Sequence, residues 1–233
     1  MCCDICLNLS QYIDANGIVC GRTMEFCEPL KSKLTIIPRG RSFTSETPIY
    51  KLDWVSSYGF VAVKILDTNV FVDGINEVGL SCGILTMDAT QYSIPSLEPT
   101  ISIIDVCSWL LGLCSTVDQA VTMLKTIKIY GAPIPVLNRI IGLHIVIHDS
   151  LGTNVVCEIL NDMNIYYTYG VVTNGPHYPT QLDAYHNGEY IINNILSLWS
   201  STNRFIKLSE LKRLTKPESY DNIGLVNLIC HIF

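Results

Sequence analysis

Cys2-Cys3-Asp4-Ile5-Cys6-Leu7-Asn8-Leu9 opens the chain, and Ile18-Val19-Cys20-Gly21-Arg22-Thr23-Met24-Glu25-Phe26 follows it across Asp14-Ala15-Asn16-Gly17. The first stretch is apolar-rich and reads as a strand over Cys2 to Leu9. Asp-Ala-Asn-Gly is turn chemistry, and Ile18 to Cys20 returns as a second strand. The opening is therefore expected to be a hairpin that begins on a cysteine. Met followed by a small residue is a good substrate for initiator-methionine removal, and that cut leaves Cys2 with both a thiol and a free α-amine. The pair is chemically self-sufficient, because an amine of pKa near ~8 can serve as base for its own thiol. Taken alone, an early cysteine is more often an accident than a nucleophile.

Working outward, Lys33 to Pro38 and Tyr58 to Leu66 are rich in β-branched residues and read as strands. Asn69 to Leu85 holds a glycine-punctuated strand pair around Asn76-Glu77-Val78-Gly79. Ile101 to Leu113 and Thr116 to Lys125 carry apolar residues at helical spacing, with Ser115-Thr116 as the cap of the second helix. Leu143 to His148 and Val155 to Leu160 read as strands joined by Asp149-Ser150-Leu151-Gly152, and Ile165 to Thr173 as one further strand. From Gln181 the pattern turns helical. Strands, two helices, strands and then helices fit a layered α+β domain.

The bulk properties exclude several classes. With 48% hydrophobic and 15% charged residues the chain is globular rather than disordered. A net charge of -6 and the lack of a basic stripe argue against a nucleic-acid partner. No apolar run reaches the ~18 residues that span a bilayer, so no membrane partner is expected. The start lacks a basic region followed by an apolar stretch, which points to a cytoplasmic setting. Of ten cysteines, Cys82, Cys107, Cys114, Cys157 and Cys230 sit in apolar runs and are expected to pack as core. Cys3 and Cys6 form a C-x-x-C, but on a strand they point to opposite faces, which opposes joint zinc ligation with Cys20 or Cys27. His144 and His148 fall on a strand, which removes the helical geometry of a zinc pair. No metal is expected.

The motifs taken in order resemble the choloylglycine hydrolase family, which includes bile salt hydrolases and penicillin V acylases. Its members begin with Met-Cys and carry Gly/Ala-Arg-x-Met-Asp-Phe/Trp at the end of the first hairpin; here the segment is Gly21-Arg22-Thr23-Met24-Glu25-Phe26. Trp54-Val-Ser-Ser-Tyr58-Gly59, Asp73-Gly74-Ile75-Asn76-Glu77-Val78-Gly79-Leu80, Trp109-Leu110-Leu111-Gly112, Leu143-His144, Gly170-Val171-Val172-Thr173-Asn174-Gly175-Pro176 and Asn203-Arg204-Phe205-Ile206 match further blocks. The resemblance implies a single domain over 2–233 with the αββα four-layer sandwich of N-terminal-nucleophile hydrolases. It implies hydrolysis of a linear amide in a small N-acyl amide, a conjugated bile salt or a penicillin V-like molecule, with no cofactor. Cys2 is the implied nucleophile, Arg22 its charged neighbour, Glu25 the carboxylate that holds the α-amine, Asn174 the oxyanion donor and Arg204 the floor of the site.

The chain departs from the pattern in places. Cys3 beside Cys2 is a second candidate thiol, and Cys6 stands at a spacing from Arg22 that also occurs in the family. Glu25 replaces Asp. Thr86 stands where bile salt hydrolases carry Asn and many penicillin acylases carry Tyr, at a substrate or oxyanion position, and it has neither an amide nor a ring. The chain stops at Phe233, before strands that complete the sandwich in relatives, and the segment between Tyr185 and Arg204 is short. A homo-oligomer stays open, while the tetramer of bile salt hydrolases is not carried over. The alternative expectation is a shortened member that keeps the fold without turnover.

Overall fold

The computed structural model describes residues 2–8, 17–26, 29–135, 137–188 and 200–214, with backbone only at Cys2 and Asn8. The opening hairpin is present: β1 (Cys2–Asn8) pairs antiparallel with β2 (Ile18–Met24), Cys2 opposite Met24 and Cys6 opposite Cys20. The second strand thus runs four residues further than its β-branched start suggested. Leu9 and Asp14-Ala15-Asn16 lie outside the described residues.

Six strands follow in pairs and hairpins: β3 (Lys33–Ile37), β4 (Ser42–Glu46), β5 (Lys51–Val55), β6 (Phe60–Lys64), β7 (Phe71–Asn76) and then β8 (Ser81–Thr86). A short strand β9 (Thr100–Ser102) and a single 3-10 turn precede helix α1 (Val106–Leu113). The helix expected from Ile101 therefore starts five residues late, because Ile101 pairs in parallel with Ile129 of β10 (Lys128–Tyr130). Helix α2 (Val117–Leu124) is capped as expected: Thr116 Oγ1 accepts from Gln119 N at 3.3 Å. Strands β11 (Leu143–His148), β12 (Asn154–Leu160), β13 (Asp162–Tyr167) and β14 (Val171–Thr173) lead to α3 (Tyr178–His186) and α4 (Ser201–Leu214).

The single strand expected over Ile165 to Thr173 is two strands in different sheets. Gly170 turns the corner: its φ is +73°, and a Cβ there would lie 2.8 Å from Cys6 O. Only glycine accepts both the conformation and the approach.

The described residues form a seven-stranded antiparallel sheet, β13-β12-β11-β8-β7-β6-β3, and a three-stranded sheet, β14-β1-β2. Strand alternation assigns the layers. Cys82, Ile84, Ile145, Ile147, Val155 and Cys157 face α1 and α2 in the larger core. Leu85, Val146 and Val156 face the other way, in a second core with Ile5, Val171, Tyr178, Phe205 and Leu208. Helices α3 and α4 cover the outside of the small sheet, so the order is the αββα sandwich expected from the resemblance. Cys82, Cys107, Cys114 and Cys157 are free and buried, as anticipated; Cys230 lies outside the described residues. Among the described residues the small sheet covers only part of the large one. A cleft of about 910 Å³ runs along β2 over Val61, Val63 and Ile75, and leaves Leu34 and Ile36 of β3 exposed.

Candidate active site

The head of β1 is where the chemistry-bearing residues gather. Position 2 pairs with Met24, and Cys3 pairs with both Thr23 of β2 and Thr173 of β14. Asn174 therefore follows directly on the residue that pairs with Cys3. Its backbone carbonyl accepts from Gln181 Nε2 at 2.6 Å and from Ser201 Oγ at 2.7 Å. Its side chain is held at both ends: Nδ2 donates to Thr86 O at 2.9 Å and to Thr86 Oγ1 at 2.6 Å, while Oδ1 accepts from Arg204 Nη2 at 3.1 Å. The other arm of the Arg204 guanidinium, Nη1, lies 3.2 Å from Cys3 Sγ. Asn174, Thr86 and Arg204 thus form one connected group beside the start of the chain.

Arg22 is brought to the same region from β2. Nη1 donates to Val72 O at 2.8 Å and lies 3.3 Å from Asp73 Oδ2, and Nη2 donates to Ile84 O. The guanidinium is nearly buried and bridges β7 and β8. Burial pushes the Asp73 carboxyl upward, the Arg22 charge opposes that, and the outcome is a value above the ordinary carboxylate range. Gly83 makes this seat available, because a Cβ at Gly83 would lie 2.6 Å from Arg22 Nη1. Gly83→Ala is therefore expected to dislodge Arg22 and lower kcat/KM for any reaction at this site about 100-fold, the cost of an ångström-scale misplacement. Steady-state kinetics alongside a melting curve check it. An unchanged kcat/KM in a folded variant would show that the Arg22 seat has no catalytic weight.

Below Arg22 and Thr86 is a small apolar cavity of about 50 Å³ lined by Met24, Phe26, Ile134 and Ile141, with Arg22 and Thr86 its polar members. Glu25, expected to hold the α-amine, is exposed immediately after β2. The side chain of Cys2 lies outside the described residues.

Cys3 and Cys6 do point to opposite faces. Cys3 contacts α4, whereas Cys6 is joined to Cys20 in a disulfide across the hairpin. The disulfide was not anticipated, although the register that places Cys6 opposite Cys20 follows from the hairpin. Cys6, Cys20 and His148 have atoms within 4.8 Å of one another. They do not make a free ligand set, because the sulfurs are bonded and both imidazole nitrogens are engaged: Nε2 with Asp4 Oδ1 at 2.7 Å and Nδ1 with Asn154 Oδ1 at 2.7 Å. His148, expected to be an ordinary strand residue, instead ties β11 to β1. His144 is a buried β11 residue, 3.7 Å from Glu158 Oε1. The residues that sequence reading missed, Gln181, Ser201, Asp73, Gly83 and the Asp4–His148 pair, all act by fixing neighbours. Among them only the glycine spacing in 73–83 was a visible signal.

No helix among the described residues is long and apolar enough to cross a membrane. The chain is similar to known proteins over most of its length. A bile salt hydrolase/transferase from Clostridium perfringens is 28% identical over 163 residues, which is 67% of this chain and 49% of that protein. The chain therefore spans about half the length of this curated relative. The solved structure of a conjugated bile acid hydrolase variant from Clostridium perfringens superposes with a TM-score of 0.80 at 21% identity, covering 100% of this chain and 78% of the other. A penicillin V acylase from Agrobacterium tumefaciens superposes with a TM-score of 0.81 at 22% identity, covering 99% and 70%. These likenesses place the fold. The family model for linear amide C–N hydrolases matches residues 6–197, and the chain belongs to the choloylglycine hydrolase family.

Proposed function

We propose that this chain hydrolyses the linear amide bond of a small N-acyl amide, of the conjugated bile salt or penicillin V type, with Cys2 as nucleophile. The observation that carries the reading is the convergence of Asn174, Arg204 and Arg22 at the head of β1, where position 2 pairs with Met24 beside an apolar cavity. Once Met1 is removed, the α-amine of Cys2 takes the thiol proton and the thiolate attacks the amide carbonyl carbon. Two guanidinium groups nearby favour the thiolate. The tetrahedral oxyanion accepts a hydrogen bond from Asn174 Nδ2, which is pre-oriented by its neighbours. Collapse expels the amine, which carries away the proton held by the α-ammonium, and leaves a thioester. Water hydrolyses the thioester to release the acid and restore the thiol.

Incubation of the purified chain with glycine- and taurine-conjugated bile salts and with penicillin V, with released amine and acid followed by mass spectrometry, tests the proposal. Cleavage of one of them is expected. No cleavage of any, in a folded chain whose N-terminal residue is Cys2, would sink the reading and leave a family member that keeps the fold without turnover.

A further inference from the structure

Helix α3 starts at Tyr178, shortly after Asn174, and it has no cap of its own: the side chain at its N-cap, His177, makes no hydrogen bond to the first turn. The first turn of any helix leaves N–H groups without intrahelical partners, and a Ser, Thr, Asp or Asn usually takes one of them. Here the acceptor comes from another layer. Glu158 Oε1 of β12 accepts from Tyr178 N, the first residue of the helix, at 2.8 Å. Glu158 is fully buried, on the face of β12 that it shares with Val156 and that points away from the larger core. Beside it on β11 stands His144, also fully buried, with Nδ1 3.7 Å from Glu158 Oε1. Among the described residues, Glu158 Oε2 and both ring nitrogens of His144 have no hydrogen-bond partner. Leaving such buried atoms unpaired costs about 1–3 kcal/mol each, so an apolar pair would serve the core better. What an apolar pair cannot do is hold one backbone N–H in a fixed direction.

The start of α3 is linked to Asn174 through Gln181, one turn into the helix. Gln181 Nε2 donates to Asn174 O at 2.6 Å and to Pro176 O at 2.5 Å, and its Oε1 accepts from Thr173 Oγ1 at 2.6 Å. The turn between β14 and α3 is thus held from the helix, and it is only as well fixed as the helix start. Tyr178 fastens that start twice. Its backbone is bonded to Glu158, and its ring packs on Tyr166 and Phe205, with centroids at 6.1 and 5.8 Å. Ring packing tolerates sliding, whereas a hydrogen bond sets a direction. We infer that Glu158 is a positioning residue: from the large sheet it caps α3, and so it sets the 174–177 turn and the Asn174 side chain against the head of β1. This rests on the proposed amide hydrolysis at Cys2 and adds to it a supporting residue from the opposite sheet.

Glu158→Leu removes the acceptor at similar size, and Glu158→Gln keeps an acceptor oxygen at the same reach. In the leucine variant kcat is expected to fall about tenfold with KM within about twofold of the parent, part of the ~100-fold that an ångström of misplacement costs. The glutamine variant is expected to recover most of kcat. Because Glu158 acts through Asn174, adding Glu158→Leu to Asn174→Ala should lower the residual rate by less than about twofold, whereas an independent structural defect would lower both backgrounds alike. A further readout does not depend on turnover. The Tyr178 amide proton, assigned in a tyrosine-labelled chain as the signal lost in Tyr178→Phe, is expected to exchange slowly in the parent and in Glu158→Gln. In Glu158→Leu it should exchange faster as the helix start frays. Equal exchange in the parent and the leucine variant would overturn the inference. So would a glutamine variant as impaired as the leucine variant, or a full effect of Glu158→Leu on the Asn174→Ala background. Should the leucine variant not fold, the parent decides: slow exchange at Tyr178 supports the cap, and exchange as fast as at an open helix end overturns it. If the parent cleaves no amide while the exchange pattern holds, the proposed reaction fails and the capping of α3 by Glu158 stands.

Discussion

Cys2→Ala is expected to abolish amide cleavage, with kcat lowered by at least about ten-thousand-fold and the melting temperature little changed. Deleting the nucleophile of a hydrolase removes the acyl-enzyme route altogether and leaves only what binding and the oxyanion donor contribute. In the proposed reaction two functions reside in one residue, which makes the expected effect large: the thiol attacks, and the α-amine on the same atom framework takes its proton. Alanine keeps the amine and loses the thiol. Retaining Met1 has the complementary effect, because it keeps the thiol and converts the base into an amide with no basic lone pair. Both should be equally inactive, and intact-mass measurement of each preparation confirms the N-terminus.

Cys3 is the necessary control. Its thiol lies against Arg204, and its backbone N–H donates to Thr23 Oγ1 at 3.1 Å. Cys3→Ala is expected to keep most of kcat, because it leaves the amine, position 2 and Asn174 in place. The reverse result, an active Cys2→Ala and a dead Cys3→Ala, would transfer the nucleophile to Cys3 and require a chain that begins there. Cys6 is a third candidate by its spacing to Arg22, but its sulfur is bonded to Cys20, three residues along the strand from the Arg204 contact. Cys6→Ser is expected to change stability more than rate.

How legible these residues were depended on the range of the forces that place them. The hairpin, the strands of the large sheet and α2 follow from local patterns: β-branched runs, turn residues and the Thr116 cap. Elements fixed by distant partners were read poorly. Ile101 has a helical neighbourhood in sequence, yet its parallel partner Ile129 draws it into β9. Residues 165–173 read like one strand, and only the approach of Cys6 O to Gly170 shows why they split between two sheets. The same distinction runs through the site. Arg22, Asn174 and Arg204 were visible as motif residues, because their chemistry is written in their own side chains. Gly83 and Gln181 were not, because a glycine that admits a guanidinium and an amide that grips a carbonyl look like any others until the chain is folded. Asp4 was equally silent, being one polar residue in an apolar strand with its partner 144 positions away.

That partner makes Asp4→Ala the second large expected effect, on stability rather than rate. Asp4 Oδ1 and His148 Nε2 meet at 2.7 Å between the two sheets, both almost fully buried. His148 Nδ1 meets Asn154 Oδ1 at 2.7 Å, and the Asn154 amide donates to Gly152 O at 2.8 Å, so both ring nitrogens face oxygen atoms, an arrangement that favours the protonated ring. Removing the carboxylate leaves a buried cation with no counter-charge at that nitrogen, and breaking such a pair costs about 3–5 kcal/mol. For a chain of this size that corresponds to a fall in melting temperature of roughly 10 °C. The pH dependence separates this from a simple packing defect. Burial alone would lower the His148 pKa, but the Asp4 charge and hydrogen bond, with the bond from Asn154 and the charge of Asp73, together raise it above its ordinary value. A folded-state value above the unfolded ~6.5 means that the contribution is fully present below about pH 6.5. It is lost as pH rises through the raised value. In Asp4→Ala the desolvation of the ring is no longer opposed by that charge, so acidification below about pH 6.5 should destabilise the variant while the parent keeps the full contribution. The stability difference between the two proteins, from urea unfolding across pH 5.5 to 8.5, should therefore be largest at the acid end and shrink toward the alkaline end. A difference that is flat across that range would show that Asp4 and His148 do not share a charge in the folded chain.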